Sequence, residues 1–154
     1  MARGRRPSPT VLRGLLHPAH GPLVRAELRG GTTGASLEGL AVIDTGASMS
    51  AVDRGAALEL GLETFGAASW FAVTGGERPV APLRRAQMRL GEGSIYWELD
   101  LIEVAGLDES VAGYRALLLI GWDFLRTCQL HVDGPAGTWS LQLPAVRGPA
   151  RRRR

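Results

Sequence analysis

The sequence predicts a mostly β domain that folds as a closed barrel or sandwich with two short helices. Three observations predict this class. Apolar and polar residues alternate in several short segments, as they do in half-buried strands. Turns that contain glycine separate those segments at short intervals. Asp53 and Asp123 each precede only a few apolar residues, which indicates two brief helices and not long ones.

The length and composition of the chain predict one folded domain with an irregular segment before it and a disordered segment after it. With 154 residues the chain can bury one sizeable core, and we expect the domain over residues 22–144. Residues 1–21 are rich in Arg, Pro and Gly, which predicts an irregular arm. Residues 145–154 predict a disordered Arg-rich tail.

The charge of the chain is unevenly distributed. The formal net charge is +3, from 18 basic and 15 acidic residues, and every basic residue is Arg. Eight Arg lie near the ends, so residues 7–146 carry ten Arg against all 15 acidic residues, a net charge of −5. Because a nucleic-acid-binding domain is expected to have a basic face, we expect no nucleic-acid partner. An alternative, in which the Arg-rich ends tether the chain to a polyanion, stays open.

Apolar segments and cysteine usage predict a soluble, cytoplasmic protein. Residues 116–120 form the longest candidate apolar segment, far below the ~20 residues that a membrane span needs. We therefore expect no membrane partner. Cys128 is the single cysteine, which excludes an intramolecular disulfide and fits a reducing compartment.

The first part of the domain predicts two strands joined by a turn. Apolar and charged residues alternate over 23–29, which is the period of a half-buried strand. Residues 29–34 supply glycines and threonines for a turn, and a second strand then runs to Ile43.

Two short helices are predicted from their first residues. Asp53 is placed to cap a helix over residues 54–60, and Gly61 follows as a helix-ending glycine. Asp123 is predicted to cap a second helix that runs to about Thr127.

The second part of the domain predicts strands separated by turns. Strands at 70–73 and 80–90 flank the glycine-bearing residues 74–77, which predicts a β-hairpin. The remaining predicted elements are a strand over 95–101, a polar connection over 107–113, an apolar strand over 116–120 and a final hairpin of 130–132 with 139–143.

Asp44-Thr45-Gly46 is the most informative motif, and it occurs once. It places a carboxylate on a tight turn directly after the apolar residues 40–43. A second apolar strand, residues 118–120, leads into Gly121 and then into a short helix. Together with the hairpin at 74–77, these segments resemble the retropepsin-like aspartic proteases in their bacterial, single-domain form. The resemblance covers about residues 22–144.

The resemblance implies a fold, an activity and a set of site residues. The expected fold is a retropepsin-like barrel with a flap hairpin, and the expected activity is hydrolysis of polypeptides without a cofactor or metal. Asp44 is the implied catalytic residue. Thr45 would connect two catalytic turns across a dimer axis, and Gly46 would offer backbone groups to the carboxylate and the substrate. Since two carboxylates must share a proton and the motif occurs once, we expect a homodimer.

Further residues are implied to contact the substrate. These are Ala47 and Ser48 on the loop after the motif, Thr74, Gly75 and Gly76 at the flap tip, and Gly121, which would let its strand pass against the active-site loop. Ser48 and Met49 stand where the retroviral enzymes carry acidic residues. Cleavage specificity therefore cannot be transferred from those enzymes.

Other functions are less well supported by the sequence. His17 and His20 have a spacing found in metal sites, but they lack an acidic or Cys partner, so we expect a surface loop. Cys128 is expected in the core. Ser48 and Ser50 lack the surroundings of a serine nucleophile. The four Trp residues are expected in the core or at the dimer interface. A non-catalytic dimerisation or protein-binding module of the same fold remains the main alternative.

Overall fold

A computed structural model describes residues 9–69, 79–107, 110–111 and 113–145, and the statements below concern these residues. Here the chain forms short strands and two short helices. The strands are β1 (Val11–His17), β2 (Gly21–Gly30), β3 (Ser36–Ile43), β4 (Ala51–Asp53), β5 (Thr64–Ser69), β6 (Val80–Leu90), β7 (Trp97–Val104), β8 (Ser110–Val111), β9 (Tyr114–Ile120), β10 (Gln129–Asp133) and β11 (Thr138–Gln142). The helices are α1 (Arg54–Glu59) and α2 (Trp122–Leu125).

Six of these strands close into a barrel. Their order is β2, β3, β9, β4, β7 and β6, and a further pairing of β6 with β2 completes the ring. The pairs β3–β9 and β4–β7 are parallel, and the other four pairs of the ring are antiparallel. The predicted mostly β, closed-barrel fold with two short helices is confirmed.

The barrel interior is apolar, as the alternating sequence pattern requires. In β2, Val24, Ala26 and Leu28 are buried and Arg25 is exposed. Side chains from the other strands and from both helices complete the core: Ala41, Val52, Ala56, Leu60, Met88, Leu101, Leu118, Ile120, Phe124 and Leu125. Since apolar burial contributes about 25 cal/mol per Å², this core is the main source of stability.

Helix α1 begins and ends as its sequence predicts. Asp53 is the N-cap, and its side chain accepts a hydrogen bond from the backbone N–H of Ala56 at 3.1 Å. Gly61 has a φ of +60°, a left-handed backbone conformation that residues other than glycine rarely adopt. The N–H of Leu62 donates to the carbonyl of Ala57 at 2.9 Å, which closes the helix with a Schellman-type contact.

Helix α2 differs from its prediction in position and in capping. It begins at Trp122, its N-cap residue is Gly121, and no side chain caps it. The predicted N-cap role of Asp123 is therefore wrong. Asp123 lies in the first turn, where its carboxylate accepts hydrogen bonds from Ser50 on another loop. A tertiary contact, which no local pattern encodes, determines where this side chain points.

The irregular arm predicted for residues 1–21 is wrong for residues 11–17, which form β1. This strand pairs with β11 along residues 11–15 and with β2 at its end. Beneath it, Trp139 is buried and its indole N–H donates to the carbonyl of Leu15 at 3.1 Å. The strand forms because of partners near the other end of the chain, so local composition did not indicate it. Residues 1–8, from the same predicted arm, lie outside the described residues.

The predicted flap hairpin is described only in part. β5 and β6 pair from Thr64 to Ser69 and form the stem of the predicted flap, but the strand expected at 70–73 and the tip at 74–77 lie outside the described residues. The polar connection expected at 107–113 contains the short strand β8, which pairs with the start of β9. The final hairpin is confirmed as β10 and β11. Of the predicted tail, residues 146–154 are not described.

Candidate active site

Two loops meet where the parallel strands β3 and β9 end. The first is the segment between β3 and β4, residues 44–50, which we call the active-site loop, and the second is the turn from Gly121 into α2. The N–H of Asp44 donates to the carbonyl of Ile120 at 3.0 Å, and the N–H of Trp122 donates to the carbonyl of Ala47 at 2.9 Å. Since parallel strands end at the same edge of a sheet, the topology itself brings these two loops together.

Asp44 presents a partly exposed carboxylate at this edge. Its Oδ1 accepts a hydrogen bond from the N–H of Gly46 at 2.8 Å, and such a donor stabilises an ionised carboxylate. Thr45 and Gly46 are exposed on the same turn. Among the described residues, no second carboxylate hydrogen-bonds to Asp44. At this edge the described part of the chain therefore presents one accessible carboxylate together with an exposed backbone turn.

Gly121 lies directly against the active-site loop. A Cβ at this position would lie 2.6 Å from the carbonyl carbon and oxygen of Met49 and 2.9 Å from the carbonyl oxygen of Ala47. These contacts are too short for any side chain. Glycine is thus required here for a close approach of two backbones, and the approach keeps both loops in fixed positions.

A buried hydroxyl joins the two loops, and the sequence reasoning missed it. Ser50 is 0% exposed; its Oγ donates to Asp123 Oδ1 at 2.6 Å and accepts from the N–H of Gly121 at 3.0 Å. The N–H of Ser50 also donates to both Asp123 oxygens, at 3.0 and 2.9 Å. No local signal marks Ser50, because its partners lie 71 and 73 residues away.

The side chain of Trp122 lies against the active-site loop and was also missed as a site residue. The residue is 50% exposed, and its indole Nε1–H donates to the carbonyl of Thr45 at 2.6 Å. Trp139, in contrast, is buried, as expected for a core tryptophan. The tryptophans are expected in the core or at the dimer interface, and no local pattern connects Trp122 with the Asp44-Thr45-Gly46 motif.

The remaining predicted site residues are placed as follows. Ala47 is partly buried and Ser48 is exposed on the active-site loop, and both contribute the carbonyl groups that hold α2. The backbone N–H of Asp123 donates to the Ser48 carbonyl at 3.2 Å. The flap-tip residues Thr74, Gly75 and Gly76 lie outside the described residues.

The alternative reactive residues do not form a competing site in the described part of the chain. The rings of His17 and His20 stack at 4.8 Å, and His17 Nδ1 accepts the N–H groups of Ala19 and His20 at 3.2 Å. No group of three His, Cys, Asp or Glu residues there could hold a metal ion. Burial raises the pKa of the Cys128 thiol, which keeps it protonated at neutral pH. None of the helices described is long and apolar enough to cross a membrane.

Comparison with known proteins assigns the family. Residues 24–124 match the family model described as aspartyl protease. The chain belongs to the aspartyl protease family. The resemblance to retropepsin-like aspartic proteases found in the sequence is confirmed, and the match contains both Asp44 and Gly121.

Two solved structures of this kind are similar to the chain. One is a retropepsin-like aspartic protease from Rickettsia conorii, at 16% sequence identity and a TM-score of 0.48, covering 88% of this chain and 96% of that chain. Another is the retroviral protease-like domain of Ddi1 from Leishmania major, at 16% identity and a TM-score of 0.43, covering 81% of this chain and 94% of that one. No curated protein sequence matches the chain.

Proposed function

We propose that the protein is an aspartic endopeptidase that acts as a homodimer. The observation that carries this proposal is the placement of Asp44 within the aspartyl protease match. Its carboxylate is accessible, it accepts the N–H of Gly46, and it lies on a loop held by backbone contacts to Ile120 and Trp122. A carboxylate in a fixed position that solvent can reach is what acid–base catalysis on a bound peptide requires.

The homodimer supplies the second acid. The motif occurs once in the sequence, and no second carboxylate hydrogen-bonds to Asp44 in the described part of the chain. A two-fold axis beside the exposed residues Thr45 and Gly46 would bring two copies of Asp44 together. Thr45 from each subunit would then reach across the axis and fix the distance between the two turns.

Two neighbouring Asp44 carboxylates cannot both ionise without a large electrostatic cost, so the pair shares one proton. The ionised member takes a proton from a bound water as the water oxygen attacks the peptide carbonyl carbon. The protonated member donates its proton to the carbonyl oxygen. The carboxyl that took the water's proton then gives it to the amide nitrogen as the C–N bond breaks, and the other carboxylate takes a proton from a hydroxyl of the tetrahedral intermediate. These transfers yield a carboxylic acid and an amine and restore the singly protonated pair. Every proton in this scheme moves between the carboxyl pair, the water and the peptide.

The proposed substrate is an extended polypeptide bound as a strand across the two active-site loops. The peptide backbone would contact the active-site loop at Gly46, Ala47 and Ser48. Gly121 would support that loop from the side away from the peptide. Thr74, Gly75 and Gly76 would close over the peptide as a flap that excludes water and strengthens the electrostatic interactions inside. A cytoplasmic location is part of the proposal, because the single Cys128 fits a reducing compartment.

The test is an Asp44→Asn variant assayed on unfolded protein and on a peptide library at mildly acid pH. We expect its cleavage rate to fall by about 10²–10⁴-fold, the usual contribution of acid–base catalysis. Asp100→Asn is the matched control, since Asp100 is half exposed on β7 and pairs only with the exposed Arg85 among the contacts described. This control should cleave at the wild-type rate.

The outcomes separate the two candidate functions. Equal cleavage by wild type and Asp44→Asn would refute the enzymatic proposal. A wild-type protein that dimerises without cleaving any peptide would support the alternative, a non-catalytic dimerisation or protein-binding module. The fold and the motif are compatible with both, so only the rate comparison decides.

A further inference from the structure

We propose that Trp122 is a positioning residue that orients the catalytic carboxylate through the peptide group between Thr45 and Gly46. Its effect on the reaction rests on the proposed function of Asp44. The hydrogen-bond chain on which the proposal is built can be tested without that function.

Three groups are connected in a row. The indole Nε1–H of Trp122 donates to the carbonyl oxygen of Thr45 at 2.6 Å, and the N–H of Gly46 donates to Oδ1 of Asp44 at 2.8 Å. The carbonyl of Thr45 and the N–H of Gly46 belong to the same planar peptide group. The indole therefore holds one end of this peptide, and the carboxylate is bound at the other end.

This arrangement acts on the carboxylate in two ways. Hydrogen bonds in a chain polarise one another, so a donor on the Thr45 carbonyl makes the Gly46 N–H a stronger donor to Asp44. The indole also opposes rotation of the peptide plane, which would turn the N–H away from Oδ1. The second effect matters because Thr45 and Gly46 are both exposed, so no surrounding core fixes that plane.

Trp122 holds the active-site loop at a second point through its backbone. Its N–H donates to the carbonyl of Ala47 at 2.9 Å, a contact that does not depend on the side chain. The contributions of the side chain and the backbone can thus be separated by substitution. Because the residue is 50% exposed, replacing the indole by a phenyl ring opens no large cavity.

The first experiment compares Trp122→Phe with wild type in steady-state cleavage and in a pH–rate profile. We expect kcat to fall about tenfold, in line with the cost of misplacing a catalytic group, and KM to change less than about twofold. We also expect the acid limb of the profile to move to higher pH, because the ionised carboxylate loses support. Dimer dissociation, measured by sedimentation, should be unchanged.

Trp139→Phe is the matched control. Trp139 also donates its indole N–H to a backbone carbonyl, that of Leu15 at 3.1 Å, but it is buried under β1 and not on the active-site loop. Loss of the Trp139 indole should lower the free energy of unfolding and leave kcat and the acid limb of the pH–rate profile unchanged. An equal change of kcat in both variants would mean that a general loss of stability, and not positioning, explains the effect, and would overturn the proposal.

The second experiment does not need activity. In NMR spectra of Trp122→Phe we expect the Gly46 amide proton to move upfield and to exchange faster with solvent, because its hydrogen bond to Asp44 weakens. If Asp44→Asn cleaves like wild type, the proposed function fails, and these two signals still decide whether the indole acts on the carboxylate. The proposal is wrong if both signals and the acid limb match wild type, or if only KM or dimer dissociation changes.

Discussion

At the scale of single residues, the candidate site depends on a hydroxyl that never reaches solvent. Ser50 contacts Asp123 and the N–H of Gly121, so it connects the active-site loop to the start of α2. These buried polar contacts act together with the backbone hydrogen bonds from Asp44 to Ile120 and from Trp122 to Ala47. Together they hold the Asp44 turn beside the Gly121 turn.

We expect Ser50→Ala to lower the free energy of unfolding by about 2–3 kcal/mol, because it leaves the Gly121 N–H unpaired in the interior and removes a donor from Asp123. Chemical denaturation measures this change. Ser48→Ala is the control, since Ser48 is exposed two residues earlier on the same loop and its loss should change the free energy by less than about 0.5 kcal/mol. Equal stability of the two variants would show that the hydrogen bonds of the Ser50 hydroxyl contribute nothing to the free energy of unfolding.

At the scale of elements, an ion cluster holds the β2–β6 pair that closes the barrel. Glu27 of β2 lies directly opposite Arg89 of β6, and its side chain is 7% exposed. Its carboxylate accepts hydrogen bonds from Arg89, from Arg29 and from the hydroxyl of Tyr96, the last at 2.7 Å. Burial alone would raise the pKa of Glu27, but these donors outweigh burial and lower its pKa to about 2.

This lowered pKa predicts how stability depends on pH. The ordinary value is 4.5 and the folded value is about 2, so the unfolded chain takes up the proton first as the pH falls. The contribution of Glu27 is fully present above about pH 4.5 and is lost towards pH 2. We expect the free energy of unfolding to fall by about 2–3 kcal/mol across that window. At the mildly acid pH of the cleavage assay the cluster should be intact.

Glu27→Gln should flatten the pH dependence between pH 4.5 and 2 when unfolding curves are recorded across this window. Glu98→Gln is the matched control, because Glu98 lies on β7 outside this cluster and its side chain is 64% exposed. This control variant should show the same dependence of the free energy of unfolding on pH as wild type. The cluster would play no part in acid stability if Glu27→Gln and wild type lost stability in parallel.

The elements also show which parts of the fold the sequence could predict. The alternating segments that became β2 and β3, the Asp53 cap and the left-handed Gly61 are encoded within a few residues, and they were predicted correctly. β1 was not predicted, because its partners in β11 lie near the other end of the chain. The capping role given to Asp123 was wrong for the same kind of reason, since its carboxylate is held by Ser50.

The candidate site follows the same division. Asp44 was identified because the motif that carries it is contiguous, and the close approach of Gly121 to the active-site loop was anticipated only through resemblance to a family. Ser50 and Trp122 were missed because each acts across a distance in sequence, 73 residues to Asp123 for Ser50 and 77 to Thr45 for Trp122. Local patterns identify which residues can do chemistry, and tertiary contacts determine what holds them in place.

At the scale of the whole molecule, the barrel presents one acid where the proposed reaction needs two. β3 and β9 deliver Asp44 and Gly121 to the same edge, and that edge remains exposed at Thr45 and Gly46. A second copy of the chain brings an identical edge, and so it can complete the carboxyl pair by two-fold symmetry. Activity should then depend on association between subunits and not on the single chain.

Mixing subunits tests this dependence directly. Wild-type protein at a fixed concentration is equilibrated with a ninefold excess of Asp44→Asn, so that most wild-type subunits enter mixed dimers. Each mixed dimer holds one ionisable acid at position 44, and cleavage by the mixture should fall to about one tenth of that of wild type alone. A ninefold excess of Asp100→Asn, which keeps Asp44, should instead raise total cleavage about tenfold as added active enzyme. If the excess of Asp44→Asn leaves cleavage unchanged while sedimentation shows dimers, each subunit acts alone. The proposal that two subunits share a carboxyl pair is then wrong.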